Sequence, residues 1–296
     1  MNYILKQIRY IIEAPIVLLA MIFFYILGEK NASNFGSFLA RMIGKRHYSH
    51  GLAYDNLSNA MPNLSEEKKQ KILDDMWDNL GRIIGEYPHL AAQNPHSLMK
   101  KYIIDSQETI RNIEFLKNLP KKGGIIFSGH FGNWEVGPKF FMEKGFDVSA
   151  VYRPLNNIYV EKLTAKIRGA KLIAKSSKGS REIIEAIKNG KYIIIMADQK
   201  VSEGESVLFF HDEAITTTSL ARIALKYGVP LIPARCIRIN REFKFELSVE
   251  KPLQFQRSSD INSDLIDLTR LVNLKLEEWV KQYPAQWFWV HNRWKK

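Results

Sequence analysis

The sequence has 296 residues, 46% of them hydrophobic, which is enough for a large folded core and excludes an intrinsically disordered chain. Its 43 Lys and Arg against 31 Asp and Glu give a net charge of +12. Such a surface attracts phosphate-rich membranes, nucleic acid or an acidic protein. The single cysteine, Cys236, excludes an internal disulfide and a zinc site built from paired cysteines.

The N-terminal segment departs from the pattern of an ordinary soluble enzyme. Residues 14–27 (APIVLLAMIFFYIL) are uncharged and have charged residues on both sides. At about 1.5 Å per residue they cover roughly 21 Å, less than the roughly 30 Å hydrocarbon core of a bilayer. We predict that residues 1–30 form an uncleaved membrane anchor, inserted or lying in the interface, with the rest of the chain cytoplasmic. A buried core helix is the alternative that this length leaves open.

Residues 31–120 have the spacing of helices. Ser65 followed by two glutamates is a helix start signal. The apolar side chains behind it recur at helical spacing: Ile72, Leu73, Met76, Trp77 and Leu80. This segment therefore predicts an amphipathic helical layer.

From residue 121 onward, short apolar runs alternate with helical segments. The predicted strands cover 124–127, 148–152, 171–174, 192–196, 231–237 and 243–249. The predicted helices cover 133–144, 157–168, 179–189, 216–227 and a long segment from about 263, with stops at Gly145, Gly190 and Gly228. The pattern predicts an α/β fold with a mixed central sheet flanked by helices, behind an N-terminal membrane-anchoring helix and a helical N-terminal layer. One domain would cover 31–296, with the helical layer at 31–120 and the α/β core at 121–296.

The segment SGHFGNWE at 128–135 carries the candidate chemistry. It places His130 in a tight turn after a strand, at the carboxyl edge where open α/β sheets hold their sites. If a helix begins near Asn133, Glu135 lies in its first turn and its carboxylate can reach back to the imidazole. Such a pair suits proton abstraction from an alcohol, with glycines such as Gly132 admitting substrate and free amides stabilising an oxyanion. By spacing alone, a histidine that caps a helix or satisfies a core hydrogen bond remains an alternative.

The hexapeptide HFGNWE resembles the His-x-x-x-x-Asp/Glu motif of glycerolipid-type acyltransferases, in the form found in the lipid A biosynthesis lauroyl and myristoyl acyltransferases. Glu86 also falls where that family has an acidic residue. The resemblance continues in order along the chain, in the blocks NLSNAMPNLS (56–65), YRPLNN (152–157), MADQK (196–200), FFHDEAIT (209–216) and PAQWFWVHNRWK (284–295). His211 stands where the family often has Gly, which leaves the shape of the pocket there open.

This resemblance implies an acyltransferase domain at the bacterial inner membrane, acting in lipopolysaccharide biosynthesis. It implies transfer of a fatty acyl chain from an acyl carrier protein thioester to a hydroxyl of a phosphorylated, Kdo-bearing lipid A precursor. His130 would be the general base and Glu135 its orienting partner. Substrate-binding residues are expected at Arg153, Asp198, Gln199, Asn133 and Gly132. No metal or organic cofactor is expected, because the thioester is already activated, and no nucleic acid partner is expected.

Alternatives remain open at several points. The same site could acylate another membrane lipid, or the chain could be a lipid-binding homologue without turnover; a thioesterase is disfavoured because no Ser or Cys nucleophile accompanies the histidine. The aromatic tail around Trp287 could stack bases, fit a membrane-interface belt or form a buried core tail, and we favour the membrane over nucleic acid. The remaining histidines, His291 among them, have no metal-site spacing and are expected to be structural or exposed.

Overall fold

The computed structural model describes residues 3–120, 123–165, 169–201 and 203–294. Helices account for most of the first 120 residues and alternate with strands thereafter. The described helices are α1 (Tyr3–Ile26), α2 (Glu29–Gly44), α3 (Ser49–Ala60), α4 (Glu66–Ala92), α5 (Pro95–Tyr102), α6 (Gln107–Lys117), α7 (Val136–Glu143), α8 (Ile158–Ala165), α9 (Ser177–Lys188), α10 (Ser219–Tyr227) and α11 (Ile261–Gln282).

The strands of the described ranges form a seven-stranded sheet and a separate two-stranded hairpin. They are β1 (Ile103–Asp105), β2 (Gly124–Ser128), β3 (Val148–Tyr152), β4 (Lys171–Ala174), β5 (Tyr192–Met196), β6 (Glu205–Phe209), β7 (Asp212–Thr216), β8 (Leu231–Arg238) and β9 (Phe245–Val249). The sheet order is β1-β9-β8-β2-β5-β3-β4, and β6 pairs with β7. The strands from β8 to β4 are parallel, whereas β9 is antiparallel to β8. The predicted mixed sheet flanked by helices is confirmed.

The central strands are buried on both faces, because helices cover each side of the sheet. In β2, Ile125 and Phe127 belong to one hydrophobic core and Ile126 to the other, as the alternation of side chains along a strand requires. The first core also contains residues of α9, α10 and α11, and the second contains residues of α5, α6 and α7. The sheet therefore lies as a middle layer between two helical layers.

Several predicted boundaries match the structure closely. β3, β4 and β5 cover the predicted residues, and Ser65 caps α4 by accepting a hydrogen bond from the Lys68 amide at 3.4 Å. The stops at Gly145, Gly190 and Gly228 have φ angles of 85°, 75° and 60°. These are left-handed conformations that glycine adopts without a steric penalty. The stop signals are confirmed.

Other elements differ from the patterns. β1 has three residues, too few for a periodicity, and each strand of the β6–β7 hairpin buries only two of its five residues; neither is predicted. The segment predicted as a helix at 157–168 contains α8, Ile158–Ala165. Residues 166–168 of that prediction lie outside the described residues.

The N-terminal helix is longer than the uncharged segment 14–27. α1 continues through Glu13 and Pro15, and its stretch Leu5–Ile26 is long and apolar enough to cross a membrane. Its 22 residues correspond to roughly 33 Å. Only 11% of its apolar stretch of 18 residues is buried inside the structure. The alternative that this segment is a buried core helix is therefore wrong.

Candidate active site

The loops after four parallel strands meet at one edge of the sheet. His130 follows β2, Arg153 follows β3, Lys175 follows β4 and Asp198 follows β5. These are the carboxyl ends of the strands, where open α/β sheets hold their ligands. The predicted position of His130 at the carboxyl edge of the sheet is confirmed.

The pairing of β2 with β5 places His130 beside Asp198. Ser128 pairs with Met196 at the ends of these strands, so the residues two positions further along lie next to each other. The His130 Nδ1 lies 2.7 Å from the Asp198 Oδ1. The main-chain amide of His130 donates to the Asp198 Oδ2, also at 2.7 Å. One carboxylate thus fixes both the ring and the backbone of His130.

Asp198 is fully buried behind the imidazole. Its Oδ2 also accepts a hydrogen bond from the indole N–H of Trp287 at 2.8 Å. Burial would by itself raise the pKa of Asp198, but the charge of His130 and its hydrogen bonds lower that pKa well below the ordinary value. The structure therefore places Asp198, predicted to contact substrate, as an ionised partner of His130.

The second imidazole nitrogen of His130, Nε2, does not contact Asp198. With a proton on Nδ1 donated to Asp198, Nε2 is an acceptor. The side-chain amide nitrogen of Gln199 lies 3.3 Å from Nε2. The structure thus brings Gln199 beside Nε2 of His130, and its role in substrate binding stays a prediction.

The imidazole borders a cavity of about 200 Å³. Its walls include the predicted residues Glu135 and Arg153, together with Trp134 and Lys175. α7 begins at Val136, later than the predicted start near Asn133, so Glu135 is the residue before the helix rather than in its first turn. Because Asp198 holds Nδ1 and the main-chain amide of His130, the orienting role expected for Glu135 stays a prediction.

Gly132 and Asn133 are buried behind this cavity. Gly132 has a φ of 51°, and a Cβ there would lie 2.4 Å from the carbonyl oxygen of Cys236. The Asn133 amide donates to Glu86 at 3.1 Å. Both residues thus support the backbone of the His130 loop, whereas the predicted substrate-binding residues Arg153 and Gln199 line the cavity.

Glu86 is the centre of the buried network that holds this loop. Its carboxylate accepts two hydrogen bonds from the Arg238 guanidinium, at 2.5 and 2.8 Å, and one from the Ser33 hydroxyl at 2.7 Å. Arg238 also donates to Asn79, whose side-chain amide donates to the carbonyl of Gly132. The acidic residue expected at 86 therefore joins α2, α4 and β8 beneath the site.

A second, mostly apolar cavity of about 360 Å³ adjoins the first. Val151, Lys175, Met196 and Gln199 line both cavities. The larger cavity is also lined by aliphatic residues of α9 and α10: Ile183, Ile184, Leu220 and Ile223. The arrangement can hold an apolar chain whose polar end lies beside His130.

The C-terminal tail closes the site from behind. Trp287 and Trp289 are fully buried, so the interpretation of these residues as a membrane belt is wrong and the core-tail alternative is confirmed. The main-chain amide of Phe288 donates to the carbonyl of His130 at 3.2 Å. Lys295 and Lys296 lie outside the described residues.

The sequence patterns miss His291 as a member of the site. Its ring centroid lies 4.9 Å from that of His130, and its Nε2 lies 3.9 Å from the Asp198 carboxylate. Burial lowers the pKa of His291 to about 3, so its imidazole is neutral. The only available signal was its place in the Trp-rich block, since it lies far from His130 in the sequence.

His130, Asp198 and His291 offer ligand atoms within 4.8 Å of one another and could in principle hold a metal ion. Both oxygens of Asp198 already accept hydrogen bonds, from His130 and Trp287. A metal bound through Nδ1 of His130 would displace the hydrogen bond to Asp198 that orients the imidazole. A hydrogen bond from Nδ1 to Asp198 favours the tautomer of His130 that leaves Nε2 unprotonated, an arrangement that suits proton transfer.

His211 lies exposed at the turn of the β6–β7 hairpin. It does not line the two cavities described above.

Comparison with known proteins gives the family. The model of the bacterial lipid A biosynthesis acyltransferase family matches residues 4–296. The lipid A biosynthesis lauroyltransferase of Escherichia coli (strain K12) is 25% identical over 254 residues, which cover 82% of this chain and 78% of that protein. The lipid A biosynthesis palmitoleoyltransferase of the same strain is 24% identical over 269 residues, 87% of this chain and 81% of that protein. A lipid A biosynthesis acyltransferase of Shigella flexneri has the same identity and coverage. The chain belongs to the bacterial lipid A biosynthesis acyltransferase family and is an O-acyltransferase.

Proposed function

We propose that this enzyme transfers a fatty acyl chain from an acyl carrier protein thioester to a hydroxyl of a Kdo-bearing lipid A precursor. The observation that carries the proposal is the His130–Asp198 pair, whose imidazole borders a small cavity that shares lining residues with a larger, mostly apolar one. The net charge of +12 suits both an acidic carrier protein and a phosphorylated glycolipid. We place the reaction at the cytoplasmic side of the inner membrane.

In this proposal, His130 Nε2 takes the proton of the acceptor hydroxyl. The hydroxyl oxygen then forms a bond to the thioester carbonyl carbon, and the resulting oxyanion collapses as the carbon–sulfur bond breaks. The imidazolium returns its proton to the departing thiolate. Asp198, ionised and buried, stabilises the imidazolium through Nδ1. The activated thioester supplies the driving force, so the step needs no further reagent.

Other cavity residues have proposed roles in substrate binding. Glu135 is the second carboxylate of the site, and we retain it as a partner of the His130 imidazole or of the acceptor hydroxyl bound to it. Arg153 is exposed at the cavity and carries a charge suited to a phosphate of either substrate. Lys175 and Gln199 are hydrogen-bond donors lining both cavities, where the thioester carbonyl would lie.

Transfer by purified protein tests the proposal. The substrates are acyl carrier protein thioester and Kdo-bearing lipid A precursor, and mass spectrometry detects the acylated product. We expect His130→Ala to abolish transfer, whereas His96→Ala, at a side chain 77% exposed, retains it. Glu135→Gln should lower kcat if the carboxylate assists the base. Full transfer by His130→Ala would refute the mechanism, and full transfer by Glu135→Gln would remove Glu135 from it.

The identity of the acceptor has its own measurement. Lipid extracts from a strain that lacks the gene should contain lipid A short of one acyl chain, with the other membrane lipids unchanged. Loss of an acyl chain from a different lipid would replace the proposed acceptor with that lipid and would leave the catalytic pair unaffected.

A further inference from the structure

The N-terminal helix α1 is bound to the globular domain at two places, in its first half and near its end. Toward its start, the Asn157 amide donates to the carbonyl of Tyr10 at 3.0 Å and to the Glu13 carboxylate at 3.1 Å. Toward its end, the His89 Nε2 lies 3.0 Å from the carbonyl of Phe24. At about 1.5 Å per residue, roughly 21 Å of helix separate these contacts. α1 thus lies along the domain over most of its length.

The opposite side of α1 is apolar and exposed. Its exposed hydrophobic side chains are Leu5, Ile8, Ile11, Ile12, Ile16, Leu18, Leu19, Ile22, Phe23, Tyr25 and Ile26. A helix that buries one narrow edge in protein and exposes the rest of its apolar surface needs a second apolar environment. The candidate partner is a membrane, because the family to which the chain belongs is membrane associated.

A perpendicular span would force polar parts of the domain into the hydrocarbon. Because Asn157 and His89 are fixed along roughly 21 Å of α1, insertion of the helix across the bilayer would carry α8 or α4 inward with it. α8 contains Glu161 and Lys162, and the loop before it contains the exposed Arg153. Each charged group in the centre of a bilayer costs about 2.5–3.5 kcal/mol even on the lowest scales.

We propose that α1 does not cross the bilayer but lies flat in the interface of a single leaflet, so that the enzyme is monotopic. In this orientation Arg9, which is paired with Glu13, remains at the depth of the headgroups. The binding partner is one leaflet of an anionic phospholipid bilayer, which matches the basic charge of the protein.

The same membrane-facing surface extends onto α2. The centroid of the Phe35 ring lies 5.6 Å from that of Phe23 in α1 and 6.5 Å from that of Phe38 in α2. Phe35 and Phe38 are both exposed. Aromatic side chains of this kind suit the boundary between headgroups and acyl chains. Two helices therefore present one continuous aromatic and aliphatic face to the leaflet.

The active site opens beside this surface. Leu155 lies between Arg153, at the His130 cavity, and Asn157, which contacts α1, and Ile158 and Tyr159 follow at the start of α8; all three apolar side chains are exposed. A flat α1 places this loop at the membrane surface, so a lipid acceptor reaches the site sideways from the leaflet and the carrier protein approaches from the cytoplasm.

Labelling of single cysteines in inverted inner-membrane vesicles tests the orientation. Lys6→Cys and Lys30→Cys, near the two ends of α1, are treated with a membrane-impermeant maleimide before and after detergent. Lys45→Cys marks the globular domain. Cys236 gives the background in the unchanged protein; it is buried, and burial raises the pKa of its thiol to about 12. A flat helix gives labelling at both ends before detergent, whereas a span gives one end that reacts only after detergent.

Depth measurements provide an independent check, because the ends of a flat helix could be shielded by headgroups. Fluorophores attached at Leu5→Cys, Ile16→Cys and Ile26→Cys are quenched by spin-labelled lipids in phosphatidylethanolamine and phosphatidylglycerol vesicles. A flat helix gives three similar, shallow depths of about 5–10 Å below the headgroups. A deep value at position 16 with shallow ends would overturn the proposal. Neither readout uses turnover, so failure of the proposed acyl transfer would be detected separately.

Discussion

The carboxylate of Asp198 holds His130 at two points, the main-chain amide and the ring Nδ1, with both contacts at 2.7 Å. The two residues come from different strands, β2 and β5, and each stands two positions beyond a paired strand end. The carboxylate that lies against Nδ1 is therefore the distant Asp198 and not a residue of the local motif. A test of this pair separates its contribution from that of Glu135.

We expect Asp198→Asn to lower kcat by roughly 10²–10⁴-fold with little change in KM for the donor. The amide cannot stabilise an imidazolium as a carboxylate does, and it can hold the wrong tautomer. Steady-state transfer measures the effect, and circular dichroism checks the fold. Asp147→Asn, at an exposed carboxylate that pairs with Lys191, is the control and should retain activity. A kcat for Asp198→Asn near that of the control would count against the pair.

The apolar cavity predicts how chain length is selected. Ile223→Trp should fill part of the space of about 360 Å³ that adjoins the His130 cavity. Each acyl-chain methylene that can no longer be buried loses about 0.8 kcal/mol of binding free energy. If the cavity loses room for two methylenes, the relative kcat/KM for the longest accepted chain falls by about 15-fold. Competition among thioesters of graded length measures the shift. Leu274→Trp, at an exposed position of α11, should leave the preference unchanged, and no shift with Ile223→Trp would place the chain elsewhere.

The Glu86 network predicts a large effect on stability. Glu86→Ala leaves the Arg238 guanidinium buried without its partner, so we expect a loss of roughly 3–5 kcal/mol in the free energy of unfolding. Unfolding in detergent, monitored by circular dichroism, measures this loss. Adding Arg238→Met should recover part of it, because the orphaned charge is removed. Equal stability of Glu86→Ala and the unchanged protein would show that the network does not hold the loop.

His291 predicts a pH dependence of stability. In the unfolded chain its imidazole binds a proton below about pH 6.5, whereas burial holds its folded pKa at about 3. Between these values the unfolded state binds more protons, so the stability falls as the pH falls, by about 1.4 kcal/mol per pH unit. Asp198 adds little between pH 7 and pH 5, because its carboxyl is ionised there in the unfolded chain as well as in the fold, where its pKa is lowered.

In His291→Phe, the loss of unfolding free energy between pH 7 and pH 5 should be about 2 kcal/mol smaller than in the unchanged protein. Unfolding curves at the two pH values provide the comparison. The same pH dependence in both proteins would mean that His291 is protonated in the folded state.

Two glycines near the site should respond in opposite ways to alanine. In Gly132→Ala, the new Cβ would clash with the Cys236 carbonyl, and alanine would have to adopt a positive φ. The left-handed conformation alone costs roughly 1–2 kcal/mol, so we expect a larger loss of stability than this, together with a lower kcat. Gly137→Ala in α7 meets no neighbouring atom within 4 Å and should stabilise the helix by about 0.5–1 kcal/mol. Thermal unfolding ranks the three proteins. A neutral Gly132→Ala would show that the turn can relax.

The sequence by itself determined the parallel strands and their helices. β2 and β5 are visible because buried parallel strands are short, uninterrupted apolar runs, and glycine stops mark the ends of several helices. It also located His130 at a strand end and, through the ordered blocks, the family. It determined that an apolar helix precedes the domain, although the polar residues within α1 hid its full length.

Only the tertiary structure decided which groups act together. Asp198 and His291 reach His130 because the pairing of β2 with β5 and the return of the C-terminal tail bring distant segments into contact. No local spacing encodes such contacts, whereas the spacing of His130 and Glu135 suggested a pair within one turn. The same holds for Asn133, whose polar side chain is satisfied inside the fold by Glu86 of another helix. Periodicity records which side chains are buried, and the partner of each buried polar group is set by the packing of elements that are far apart in the chain.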